Sequence, residues 1–221
     1  MSRKKAQRWA ILLILISITL PALAMSLQEV IIIDDFTDGL DGKWQVKSFT
    51  GNTRYTHFSD NKHAGIMAVS KGTASGLYHE LKYSPRDYPY LSWSWKIQHI
   101  LSTGDATTKS GDDYAARIYI IFPSLFFWKT KVLNYIWANK LPKGEAIPSS
   151  YTKNSIMIAV ESGNENSGRW MKETRNIHED FLRHFGSPPP KVGAIALMTD
   201  TDNTGEEALA WYGPITISRH E

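Results

Sequence analysis

Leu91-Ser-Trp-Ser-Trp-Lys-Ile97 decides the fold class. Leu91, Trp93, Trp95 and Ile97 fall on one side of an extended chain, with Ser92, Ser94 and Lys96 on the other. A period of two is the mark of a strand with one face in a core. Further candidate strands lie on both sides, at 29–36, 44–49, 53–58, 65–70, 76–80, 114–122, 155–161, 170–176, 192–199 and 208–218. Turn formers separate them, among them Asp38-Gly39, Asp41-Gly42, Ser162-Gly163-Asn164 and Ser167-Gly168. Many short strands so punctuated predict an all-β, antiparallel jelly-roll β-sandwich rather than a parallel α/β sheet.

Two segments interrupt the pattern. His178–Phe185 has acidic residues near its start, basic ones near its end, and Gly186 followed by Pro188-Pro189-Pro190 to stop it, which predicts a short helix. Leu125–Asn139 has apolar residues at mixed spacing and reads either as a second short helix or as a strand with an aromatic loop.

The N-terminus reads as an export signal over residues 1–24. Arg3, Lys4, Lys5 and Arg8 precede the apolar run Trp9–Leu20, and Ala22-Leu23-Ala24 supplies the small residues of a cleavage site. The run is shorter than the roughly 20 residues of a spanning helix. The expectation is a periplasmic or secreted protein with one β-sandwich domain over 25–221 and no membrane span after cleavage.

Without the signal the chain has 21 basic against 22 acidic residues, so no basic bias points to nucleic acid as a partner. It has no cysteine, which excludes disulfides, thiol catalysis and thiolate metal sites.

Three groups of residues can carry chemistry. Asp112 and Asp113 stand at the entrance of the strand that holds Arg117. A mid-strand arginine among apolar neighbours needs an acidic partner, either as a structural bridge or as a guanidinium fork on a cleft floor.

The second group is the loop Thr199-Asp-Thr-Asp-Asn-Thr-Gly205. Asp200, Asp202, Thr204 and Gly205 fit the first half of an EF-hand, but its twelfth position is Trp211 rather than Glu, so that match fails. A hydrogen-bonded turn remains, or a structural Ca2+ site in which Asp34 and Asp35 join Asp200 and Asp202.

The third group is aromatic, from eight Trp and ten Tyr. Trp93 and Trp95 belong to the core face. Trp128, Trp137 and Trp170 lie in or near loops and are candidates for a platform under an apolar sugar face. Arg175 and Asp180 flank a strand-to-helix step as a candidate ion pair.

No Gly-x-Ser-x-Gly elbow, phosphate-binding glycine loop or metal-spaced histidine pair is present. The expected function is binding of a carbohydrate or other polar ligand. The alternatives are a glycan hydrolase or lyase using Asp113 with Glu161 or Asp180, and a non-catalytic envelope protein.

Gly111-Asp-Asp-Tyr-Ala-Ala-Arg117, Asn134-Tyr-Ile-Trp137, Arg175-Asn176 with Asp180, and Thr199-Asp-Thr-Asp-Asn-Thr204 occur in this order. With them the chain resembles the bacterial family catalogued as domain of unknown function 3047. The resemblance implies an exported jelly-roll protein of Gram-negative bacteria, with no established activity. More loosely, Asp34-Asp35-Phe36 and the late aspartate strand look like the jelly-roll carbohydrate-binding modules, which implies a structural calcium between the chain ends.

Overall fold

The computed structural model describes residues 28–40 and 42–221. The expected signal over 1–24 lies outside the described residues, as does Asp41. Among the described residues thirteen strands form two sheets. In the six-stranded sheet the order is β11 (Met171–Asn176), β6 (Tyr90–Ile97), β13 (Glu207–Ser218), β4 (Ala64–Lys71) and β3 (Arg54–Ser59). The sixth strand, β1 (Val30–Asp34), pairs with the C-terminal half of β13.

The seven-stranded sheet runs β2 (Trp44–Thr50), β5 (Ala74–Tyr83), β12 (Val192–Asp200), β7 (Arg117–Phe122), β8 (Lys131–Ala138), β10 (Ser155–Ser162) and β9 (Ala146–Pro148). The fold is an all-β jelly-roll sandwich. Every pairing is antiparallel except β8 with β10. Parallel neighbours need a return connection, and here it runs down the sheet edge, where β9 lies antiparallel to β10 before the chain turns into it.

The sandwich is filled from both sheets by the alternation seen in Leu91–Ile97. All four apolar residues of β6 are buried, and β8 faces them with Leu133, Tyr135 and Trp137. Trp93 packs on Tyr135 with ring centroids 5.3 Å apart, and Trp95 on Trp137 at 5.8 Å. Trp137 therefore does not lie in a loop. It is fully buried, and its indole donates to the Gly163 carbonyl. Residues 125–139 take the second of their two readings, a strand with an aromatic turn before it.

The helix α1 spans Ile177–Phe185. The Asn176 side chain caps it by accepting from the Glu179 amide, and Gly186 closes it at φ 68°. Among the described residues no helix is long and apolar enough to cross a membrane.

A second apolar cluster lies on the outer face of the seven-stranded sheet. Here Ile136, Ala138, Met157 and Ala159 are covered by Ala106, Tyr114 and Leu141 from the long loops. These loops cover one half of that face and leave the other half open.

Backbone approach is tightest at Gly65, where a Cβ would lie 2.2 Å from the Tyr212 carbonyl oxygen. Gly65→Ala should lower the unfolding free energy by about 2 kcal/mol in urea titration, because that contact is with backbone that cannot swing aside. Gly42→Ala, which meets nothing within 4 Å, should leave the midpoint where it is.

Candidate functional site

The site forms where outward-facing residues of successive strands line up across the open half of the seven-stranded sheet. Lys47 and Phe49 come from β2, Gly76 and Tyr78 from β5, Ala196 and Met198 from β12, and Tyr119 and Ile121 from β7. They line a hollow of about 440 Å³. Phe49, Tyr119 and Met198 also line a second hollow of about 410 Å³, which continues over Arg117, Asn134, Met157 and Ser155 to Tyr151. Shared walls make the two a single groove. From β2 to β10 it crosses five strand spacings, about 24 Å. Gly76 and Ala196 keep its floor low, while Phe49, Tyr78, Tyr119 and Tyr151 supply aromatic surface.

A buried charge cluster floors the groove near β8. Arg117 is only 5% exposed, and its Nη2 donates to the Asp200 carboxylate. Its Nη1 stands 3.7 Å from Asp112 Oδ1, and its guanidinium lies between the rings of Tyr114 (5.0 Å) and Tyr119 (5.4 Å). The ladder explains the partner. Met198 is registered opposite Arg117, so Asp200, two residues on, shares its face as a diagonal neighbour.

Asp113 does a different job. Its Oδ2 accepts from the backbone amides of Asn203 and Thr204, at 2.9 and 2.6 Å, and so shapes the Asp200 loop from outside. Glu206 fixes the far end of that loop by accepting from Ser102 and Thr103. Although burial acts to raise its pKa, these hydrogen bonds pull it down to about 2.

One guanidinium cannot balance three carboxylates. Burial pushes Asp200 well above its ordinary value, with Arg117 opposing and Asp113 and Asp112 reinforcing. Burial raises Asp112 as well, again against Arg117. Four buried polar atoms of this region have no hydrogen-bond partner, Arg117 Nε, Asp112 Oδ1, the Tyr114 hydroxyl and Asn134 Oδ1.

An oxygen from each of Asp113, Asp200 and Asp202 lies within 4.8 Å of the others. Asp113 is already occupied by loop amides and Asp200 by Arg117, so the donors do not fit a calcium ion unless that ion pair opens. Asp34 and Asp35 are elsewhere. The first and last strands do pair, but Asp34 is opposite Ile215, eight residues along β13 from Glu207 and about 25 Å from the loop. Asp34 instead accepts from the Phe36 amide and the Trp44 indole, and Asp35 from the Thr37 amide.

The other expected site residues are dispersed. Trp128 stands exposed on the β7–β8 turn. Trp170 lies on the outer face of the six-stranded sheet, stacked on His63 at 4.9 Å and under Lys96 at 5.4 Å. Arg175 binds Asp180 through two hydrogen bonds, at 2.9 and 2.6 Å, and the Tyr135 hydroxyl donates to the same carboxylate at 2.8 Å. That network fastens α1 to both sheets.

Nor do Asp113, Glu161 and Asp180 assemble an acid–base pair. A β-bulge before Glu161 sets it opposite Trp137 rather than on the groove face. There it is buried, with Lys143 and Asn166 donating to its oxygens.

Phe49, Tyr78 and Tyr151 were not legible as site residues. Matching strand parity could have found Phe49 and Tyr78, but parity needs the strand order, and Tyr151 lies in the turn between β9 and β10. Tyr119 was legible, because it shares the face of Arg117.

A family model described as a protein of unknown function (DUF3047) matches residues 42–216. The chain belongs to the DUF3047 family. Among curated proteins, none matches it. Among solved structures, it is similar to the family 11 carbohydrate-binding module of a cellulosomal cellulase of Clostridium thermocellum. That match has 11% identity and a TM-score of 0.48, over 87% of this chain and 96% of that one. It is also similar to a xylan-binding family 15 module, with 9% identity and a TM-score of 0.41 over 86% and 95%. A third is the K2 cleaved adhesin domain of Lys-gingipain, with 9% identity and a TM-score of 0.42 over 86% and 99%.

One pH dependence follows from this half of the molecule. Glu173 of β11 is raised from 4.5 to about 7, first by burial and then by the charge of Glu161, against Lys143 and Arg175. The folded state thus keeps a proton that the unfolded chain releases. The associated stability is full below pH 4.5 and is lost as pH rises through about 7. In thermal melts Glu173→Gln should match the native chain in mild acid and melt higher above neutrality. Equal melting at both pH values would contradict the assignment.

Proposed function

We propose that the groove across the seven-stranded sheet binds a glycan chain outside the cytoplasm. The observation that carries this reading is the continuity of the groove: an aromatic-lined channel of about 24 Å, long enough for several linked pyranose rings. Sugar rings present apolar faces to aromatic side chains and hydroxyls to polar ones. Phe49, Tyr78, Tyr119 and Tyr151 serve the first need, and Asn134, Ser149, Ser155 and Asp202 the second.

Isothermal titration with xylan, glucan and chitin oligosaccharides tests the proposal. Phe49 is largely exposed and Tyr78 half-buried, so Phe49→Ala and Tyr78→Ala should keep the melting midpoint while weakening binding about tenfold each. If both variants bind as tightly as the native chain, or if none of the three sugars binds, the groove is not a site for glycans of this kind. Arg117→Ala is a poor probe, because it strands the buried Asp200 and unfolds the chain for reasons unrelated to ligand.

One observation favours acid–base chemistry as a second reading. Asp112 lines the groove beside Arg117, with its pKa raised by burial, as a proton donor needs. Release of reducing ends from the same sugars, lost in Asp112→Asn, would establish it. Binding without release leaves the groove as a binding site alone.

A further inference from the structure

The turn between β7 and β8 carries Leu125-Phe126-Phe127-Trp128, four large apolar residues that are 94%, 47%, 81% and 60% exposed. The turn is built to hold them out. Residues 127–129 form a 3-10 turn in which the Lys129 amide donates to the Phe126 carbonyl at 2.8 Å and the Thr130 amide to the Phe127 carbonyl at 3.0 Å. The Trp128 ring packs against Phe126 at 5.1 Å and Phe127 at 5.2 Å. Asn154 braces the turn from the neighbouring loop by donating to the Trp128 carbonyl at 2.7 Å. Nothing in the groove or the core uses these side chains.

The segment that carries the turn has charge of one sign. No acidic residue occurs between Asp113 and Glu145 in the sequence. Lys129 lies over the Phe126 ring and Lys131 over Phe185. Lys153 is adjacent to the bracing Asn154, and Lys191 leads into Gly193, which packs on Pro123 at the root of the turn. An apolar tip with lysines at its shoulders matches the layering of an anionic bilayer surface, with hydrocarbon below and phosphate above. Tryptophan favours that boundary.

We propose that the β7–β8 tip inserts into the interface of a lipid bilayer bearing anionic headgroups, and so docks the protein on a membrane surface. A second copy of the chain fits less well. The tip exposes roughly 500 Å² of side chain on a convex point, against the 800 Å² or so per partner of a stable protein interface. Like-charged lysines would also meet across a two-fold axis.

The absence of cysteine makes the test direct, because one introduced cysteine is the sole labelling point in the full chain. Leu125→Cys carrying an environment-sensitive fluorophore should shift to the blue with phosphatidylcholine vesicles that contain phosphatidylglycerol, and less without it. The same label at Asn61→Cys, on the β3–β4 turn, should stay in water. The tip label reports the tip itself, whatever the N-terminal apolar run does. Phe127→Asp should lower vesicle partitioning about tenfold or more. Lys129→Glu with Lys153→Glu should remove the preference for phosphatidylglycerol. A tip label that is unmoved by either vesicle overturns the proposal. So does a lipid-free dimer that Phe127→Asp abolishes, which would assign the tip to self-association.

Discussion

A guanidinium buried beneath the outer face of a β-sheet is the constraint on which the candidate site depends. Arg117 is expensive to desolvate, and that cost is offset by Asp200, diagonally across the β7–β12 ladder, and by Asp112 close by. That pairing holds the end of β12 against the start of β7. With the Asp113 contacts to Asn203 and Thr204, it sets the path of the Asp200 loop. Three carboxylates crowd one guanidinium at the groove floor, and burial there raises the pKa of Asp112 and Asp200 against the opposing charge of Arg117.

The two faces of the seven-stranded sheet divide the labour. The inner face supplies Leu133, Tyr135 and Trp137 to the aromatic packing with Trp93 and Trp95. The outer face is half covered by the loops that bring Ala106, Tyr114 and Leu141 over it, and the uncovered half is the groove. At the end of β7 remote from Arg117, the strand runs out into the exposed aromatic turn. Tyr119 and Ile121 of β7 line the candidate groove, and the exposed turn begins at Leu125, four residues beyond Ile121.

Much of this architecture was legible in the sequence, and the residues show why the rest was not. Leu91–Ile97 alternates without exception, and β6 has those residues on the expected sides. The α1 helix announces itself by the charges at its two ends and by Gly186. Trp137 was misplaced because its strand follows an aromatic turn without a polar break, so apolar residues run through both. The inward placement of Glu161 was not legible, because one bulge residue reverses parity. Asp34 illustrates a third limit. That β1 meets β13 could be guessed, but the register that puts Asp34 opposite Ile215 could not. The same limit hid Asp200 as the partner of Arg117 behind the nearer Asp112 and Asp113.

Methionine placement offers the most direct test of the central claim, that the outer face of the seven-stranded sheet is the binding surface. Met157 and Met198 line the groove, whereas Met67 and Met171 belong to the six-stranded sheet. In methyl NMR spectra of the chain labelled at methionine, titration with a binding oligosaccharide should move the Met157 and Met198 signals and leave those of Met67 and Met171 in place. Movement of Met67 or Met171 with Met157 and Met198 unchanged would put the ligand on the other face and contradict the account.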